Sequence, residues 1–179
     1  EGVIIDTPAE PEKLLGAIGD VQIKSILITH KHQDHLLGFD EITGAVQVPV
    51  GIGTDDADGL PRPPQIDLKD GMVIKFGNQE MTVLDTPGHT EGATCFLIGN
   101  HLFSGDTLFP GGPGKTRSPE AFQQVVDSIT KKLLVLPDDT AVYPGHGDDT
   151  TIGRAREEYQ GFASRPHSPD LFGEVTWNG

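Results

Sequence analysis

Lys24-Ser25-Ile26-Leu27-Ile28-Thr29-His30-Lys31-His32-Gln33-Asp34-His35 is the stretch whose reading decides the fold. Its first half is an apolar, β-branched run that reads as a buried strand. Its second half sets three imidazoles and one carboxylate within six residues. In an extended chain, side chains two apart point the same way, so His30 and His32 are able to chelate one cation. Asp34 and His35 follow a turn of the chain and reach towards a second. Neutral imidazole and carboxylate are natural ligands of Zn²⁺ and also suit iron or manganese. Without such a partner, four polar side chains directly after a buried strand are hard to satisfy.

Working outward, Val3 to Asp6 reads as a strand, Pro11 to Ile18 as a helix, and Leu36 to Ile42 as a further helix. Val46 to Val50 reads as a weak strand, and the polar, Asp-, Gly- and Pro-rich stretch 51–64 as a surface loop. Val73 to Phe76 and Met81 to Asp85 form a hairpin about Gly77-Asn78, and Ala93 to Ile98 and His101 to Phe103 a second about Gly99-Asn100. Ser118 caps a helix that begins with Pro119 and runs to about Leu134. Ala141 to Tyr143 is a strand, and Ile152 to Tyr159 a short helix. Helices alternating with strands early, and hairpins in the middle, indicate an α/β sandwich with helices outside packed sheets. Residues 1–163 are expected to form one domain, followed by a polar tail over 164–179.

One cluster does not complete a two-metal site. His89, Asp106 and His146 each follow a strand closely and sit beside glycine, which lets the backbone turn tightly near an ion. Loops at four strand ends thus offer seven ligand-type residues: His30, His32, Asp34, His35, His89, Asp106 and His146. His101 and His167 have no such surroundings and read as structural or solvated.

Composition narrows the function. The chain has 179 residues and a formal net charge of −14, whereas a nucleic-acid binder needs a basic face to displace counterions. Cys95 is the single cysteine, so no intramolecular disulfide forms and no oxidising compartment is implied; it reads as a small buried hydrophobe. No stretch is long and apolar enough to span a bilayer. The expected protein is cytoplasmic and acts on a small molecule, with neither nucleic acid nor membrane as partner. Its oligomeric state is open. Glu1 leads at once into a strand without an initiator Met, which suggests missing upstream residues and leaves room for a removed targeting segment.

Thr29-His30-Lys31-His32-Gln33-Asp34-His35 resembles the metal motif of the metallo-β-lactamase superfamily. Thr86-Pro87-Gly88-His89-Thr90, Ser104-Gly105-Asp106-Thr107 and Pro144-Gly145-His146 resemble its later motifs, in family order. The resemblance runs from about Val3 to about Gly147 and implies a four-layer αβ/βα sandwich with metals at one edge, here lacking the first strands. It also implies that His30, His32 and His89 hold one ion, that Asp34, His35 and His146 hold the other, and that Asp106 bridges them. Asp6 matches the family carboxylate that orients a ligand imidazole from behind. Glu91 departs from the pattern, standing where many members carry Pro.

An Asp at the bridging position resembles glyoxalase II, lactonases and persulfide dioxygenases rather than true metallo-β-lactamases, which commonly place Cys there. Gly105-Asp106-Thr107-Leu108-Phe109 followed by Gly114-Lys115 resembles glyoxalase II in particular, where that Lys contacts the glutathione carboxylates. Arg117 replaces the family Tyr, and the family's C-terminal helical domain is missing, which puts glutathione itself in question. Lys115 and Arg117 remain suited to an anionic group on another thiol carrier. The expected function is a metal-dependent hydrolase with two divalent ions, Zn²⁺ above Fe or Mn. A metal-bridging hydroxide attacks a small thioester or ester, and Asp34 and Asp106 are the catalytic carboxylates. The alternatives are a mononuclear iron persulfide dioxygenase, using His30 or His32 with His89 and Asp106, and a lactonase. A non-catalytic binding module and an RNA-processing nuclease rank last.

Overall fold

The computed structural model describes residues 1–178. In chain order the elements are β1 (Gly2–Ile5), α1 (Pro11–Ile18), β2 (Ile23–Leu27), α2 (Phe39–Val46), β3 (Val50–Gly53), β4 (Ile66–Leu68), β5 (Val73–Phe76), β6 (Gln79–Asp85) and β7 (Thr94–Ile98). There follow β8 (His101–Gly105), β9 (Leu108–Phe109), β10 (Gly112–Pro113), α3 (Pro119–Ser128), β11 (Ala141–Pro144), β12 (Thr150–Thr151) and α4 (Ile152–Ala163). The first four strands form an all-parallel sheet in the order β1-β2-β3-β4. The second sheet has six strands in the order β12-β11-β8-β7-β6-β5, and β9 and β10 form a small separate ribbon.

Three apolar clusters account for four layers. Successive strand residues point to opposite faces, so Ile26 and Ile28 pack with Phe39 and Ile42 of α2, while Leu27 faces the second sheet. Leu27, Leu68, Phe76, Met81, Val83 and Phe96 fill the space between the sheets. On the far side, Cys95, Leu102 and Val142 pack beneath Phe122, Val125 and Ile129 and against Ile152 and Ala155 of α4. This is the expected αβ/βα sandwich. Ser118 accepts a hydrogen bond from Ala121 N as the predicted cap of α3, and one turn of π-helix (Ile129–Leu133) continues that helix.

Two expectations fail between Val46 and Pro64. Val46 ends α2, and the strand lies later, at Val50–Gly53. Far from being surface loop, β3 is buried throughout and is followed by a 3₁₀ segment, Thr54–Gly59, in which Asp56 is fully buried. The Val-Gly-Ile-Gly run is too short and glycine-rich for its alternation to register as a strand. The helix expected from Leu36 begins at Phe39, after a 3₁₀ turn over Gln33–His35.

Beyond α4 the chain returns across the second sheet's helical side. Trp177 is only 2% exposed and its amide donates to Gly111 O at 2.7 Å. Thr116 N donates to Gly173 O at 3.1 Å, tying this segment to the loop before α3. Among the described residues no helix is long and apolar enough to cross a membrane.

Cys95 is inaccessible, and burial pushes its thiol up to about 11. Since the thiolate is the reactive form, a disulfide reagent such as Ellman's is expected to titrate no thiol in the native protein and one after denaturation. Rapid native labelling would contradict this packing.

Topology gathers the candidate ligands. β6 and β8 are each antiparallel to β7 and so run parallel to one another, and β11 is parallel to β8. Their C-terminal ends therefore share one edge, where His89, Asp106 and His146 follow. Thr94 N donates to Thr29 O at 2.9 Å, joining the end of β2 to the second sheet at that same edge.

Candidate metal centre

His30 and His32 leave β2 on an extended segment, and the following 3₁₀ turn carries Asp34 and His35. His30 Nε2 lies 3.1 Å from His32 Nδ1, which lies 2.9 Å from His89 Nε2. Nitrogens bound tetrahedrally to one Zn²⁺ at about 2.0–2.1 Å stand roughly 3.3 Å apart, so the three rings face one another as such ligands do. Three triads of candidate ligand atoms arise: His30, His32 and His89; His30, His35 and Asp106; and Asp34, His35 and His146. The middle triad shares His30 with the first and His35 with the last, which sets the Asp106 carboxylate between them.

The rings are held from behind. The Asp6 carboxylate accepts from Thr29 N at 2.7 Å, from the Thr29 hydroxyl at 2.8 Å and from His35 Nδ1 at 2.8 Å. With its proton given to Asp6, the Thr29 hydroxyl accepts from His30 Nδ1 at 3.0 Å. His89 Nδ1 donates to the Lys115 carbonyl at 2.7 Å. Each of these three rings thus has its Nδ1 engaged and its Nε2 turned inward, the orientation in which the neutral ring ligates metal. Asp6 does this from a left-handed backbone, φ 60°, which Asp tolerates better than most residues.

Charge at the centre divides in two. Burial, aided by nearby His35, pushes His30 down to about 2, and burial also lowers His32 and His89. These three rings are neutral at pH 7. Burial disfavours a charged His35 as well, but the adjoining carboxylates of Asp106 and Asp6 outweigh it and raise the ring to about 10. Burial likewise works against the Asp106 carboxylate, and His35 and His30 outweigh it, so the acid is lowered.

His35 Nε2 and Asp106 Oδ1 stand 3.3 Å apart, yet both are buried without an aligned hydrogen-bond partner. An orphaned buried polar atom costs about 1–3 kcal/mol, and a cation between the two removes both orphans. Gly145 makes the space: a Cβ there would overlap Asp106 Oδ1 and lie 2.6 Å from His35 Cε1. The donor set and the orphaned atoms fit a divalent metal. Asp34 and His146 are half exposed, with Asp34 Oδ2 2.8 Å from His146 Nε2, so this end of the centre opens to solvent.

The two basic residues expected at the substrate separate. Arg117 Nη2 lies 3.4 Å from His32 Nε2, at the centre, whereas the Lys115 ammonium is exposed and 3.6 Å from Glu174. It is the Lys115 main chain that touches the site, through His89. Sequence reading missed Asp56, which accepts from Lys31 N, Thr90 Oγ1 and Gly92 N, between the His30–His32 loop and the His89 loop. A family model described as the metallo-beta-lactamase superfamily matches residues 1–146.

The chain belongs to the metallo-beta-lactamase superfamily.

Within the superfamily it is similar to the hydroxyacylglutathione hydrolase GloC of Haemophilus influenzae, 32% identical across 86% of this chain and 83% of that protein. It is 36% identical to the hydroxyacylglutathione hydrolase of Hydrogenovibrio crunogenus, across 80% of this chain but 52% of the relative, so it spans about half of that protein's length. Among solved structures it is similar to TTHA1623 in a di-iron-bound form, with a TM-score of 0.70 and 33% identity over 85% of each chain.

Proposed function

We propose that this superfamily member is a binuclear metallo-hydrolase that cleaves a small thioester or ester, with hydroxyacyl thioesters as the first class to test. The observation that carries the reading is the pair of histidine-rich triads joined through a third that contains Asp106. Two superfamily relatives bearing the name hydroxyacylglutathione hydrolase, one matched over most of its length, support the substrate class. The di-iron-bound neighbour supports a two-ion count.

In this reading His30, His32 and His89 would hold one ion and Asp34, His35 and His146 the other, with Asp106 placed to serve both. Zn²⁺ suits the donors, as do iron and manganese. Bound there, such ions lower the pKa of water and polarise a carbonyl oxygen. Asp6 and Thr29 keep the imidazoles of His30 and His35 in the ligating tautomer. Asp34, at the open end of the centre, would accept a hydrogen bond from a water held there and orient it towards the substrate carbonyl. Arg117, beside His32, receives an anionic group of the thiol carrier, and Lys115 reaches that group once it leaves Glu174. A thiolate leaves without needing much protonation, so no dedicated general acid is assigned.

His35 supplies a metal-binding prediction. In the ion-free protein it carries its second proton below about 10, and an ion between His35 and Asp106 must displace that proton. About one proton is therefore released when this ion binds at pH 7, and apparent affinity rises with pH through the neutral range. Calorimetric titration in two buffers of different ionisation heat checks this; heats independent of buffer would contradict it.

The deciding test combines elemental analysis of gently purified protein with a panel of thioesters, esters and lactones. About two ions per chain and hydroxyacyl-thioester turnover are expected. About one iron per chain with no hydrolysis would replace the reading with oxygen chemistry, for which His30 or His32 with His89 and Asp106 offers a two-histidine, one-carboxylate set. Turnover of lactones alone would replace the thioester.

A further inference from the structure

Asp56 has 0% exposure, although it sits in a run of acids, Thr54-Asp55-Asp56-Ala57-Asp58, whose neighbours Asp55 and Asp58 face solvent. A carboxylate leaves water only where donors replace it, and here they come from both sheets. Oδ2 accepts from Lys31 N at 3.1 Å and from Thr90 Oγ1 at 2.6 Å, and Oδ1 accepts from Gly92 N at 3.0 Å. Lys31 Nζ stands 3.5 Å from Oδ1 and 3.4 Å from Glu91, closing a second tie between the same two loops. The approach is close: a Cβ on Gly92 would lie 2.5 Å from Asp56 N and 2.8 Å from Asp56 Cβ.

The residues held are next to candidate ligands. Lys31 lies between His30 and His32, and Thr90 directly follows His89. Those three histidines form one triad, with His32 Nδ1 within 3.1 Å of both other Nε2 atoms. Thr94 N donating to Thr29 O joins the two sheets beside these loops, but that bond reaches neither Lys31 nor Thr90. The Asp56 carboxylate spans the gap between them.

We propose that Asp56 is a positioning residue for the His30, His32 and His89 triad, setting its spacing by gripping both ligand loops with one carboxylate. The proposal rests on reading that triad as a metal site. Asp56 itself offers no atom to the ion, because both its oxygens are taken by these donors. Asparagine cannot replace it, since its amide nitrogen must face either Lys31 N–H or Gly92 N–H, donor against donor.

The test is a Co²⁺ titration of ion-free protein followed by visible d–d absorption. His89→Ala defines the band that belongs to the triad, and His146→Ala the band that belongs to the other cluster. Asp56→Asn is expected to raise the dissociation constant of the His89-dependent band by about 10- to 100-fold, the range usual for groups that orient metal ligands. It should leave the His146-dependent band and the far-UV circular dichroism unchanged. Thr90→Val, which deletes a single bond to Asp56, should raise the same constant by a smaller factor. Wild-type Co²⁺ affinity in Asp56→Asn, with His89→Ala still losing its band, overturns the positioning role and leaves the metal site standing. Equal weakening of both bands also overturns it, because a merely structural residue acts that way. Should Asp56→Asn fail to fold, Thr90→Val decides, and unchanged affinity there overturns the proposal. If wild type has no His89-dependent band, the metal reading falls first and this proposal with it.

Discussion

Asp106→Asn is expected to cut hydrolysis by about a thousandfold or more while leaving the fold intact. The carboxylate shares a triad with His30 and His35 and lies 3.3 Å from His35 Nε2 and 3.6 Å from His89 Nε2. Asparagine keeps the volume but withdraws the negative charge and one acceptor from the point where the clusters meet. The proposed ions then lose their common ligand, so bound metal should fall together with kcat. The change at the side chain is nearly isosteric, so far-UV circular dichroism should match wild type. Steady-state kinetics beside elemental analysis checks the expectation. A variant that keeps two ions and wild-type kcat would remove Asp106 from the proposed mechanism.

The second large effect is on stability. Asp6→Ala removes the acceptor for Thr29 N, the Thr29 hydroxyl and His35 Nδ1 at once. Each buried donor left unpaired costs about 1–3 kcal/mol, and alanine in a left-handed backbone adds about 1 kcal/mol. A loss of at least about 4 kcal/mol, the sum of these costs at their low ends, is expected in denaturant unfolding of the ion-free protein. Asp6→Asn tolerates the same backbone and retains one acceptor oxygen, so it should lose less stability. It should still weaken metal binding by about 10- to 100-fold, because His35 is no longer held in the ligating tautomer. Near-wild-type stability and affinity in both variants would reduce Asp6 to a strand-end residue.

Asp6, Asp56 and the Lys115 carbonyl have a common function in the proposed centre, although each contacts it differently. Every one satisfies the outward side of a ring or loop so that the inward side is free for an ion. This arrangement separates residues that contact the reacting groups from those that set their spacing, and the two classes should differ in assay. Ligand variants are expected to abolish activity at any metal concentration. Positioning variants should regain part of it when metal is supplied in excess.

The sequence by itself determined the layers and the set of candidate donors. Four of the six residues His30 to His35 carry donor groups that are hard to satisfy after a buried strand without a partner, and His89 and Asp106 follow strands that open after the Gly77-Asn78 and Gly99-Asn100 turns. Those signals are local, lying within a few residues of the side chain concerned. The unbroken apolar run Ile26-Leu27-Ile28 likewise reads as a buried strand, and in the structure its residues pack on both faces of the first sheet. Only the tertiary structure decided which acids are inside. Asp55, Asp56 and Asp58 are chemically alike and near neighbours, yet only Asp56 meets donors from Lys31, Thr90 and Gly92, 25 to 36 residues away in sequence. It also decided between two basic residues two positions apart, turning Arg117 to His32 and the Lys115 ammonium to Glu174. Burial of a charge depends on what distant segments bring to it, and a sequence window holds only what lies beside it.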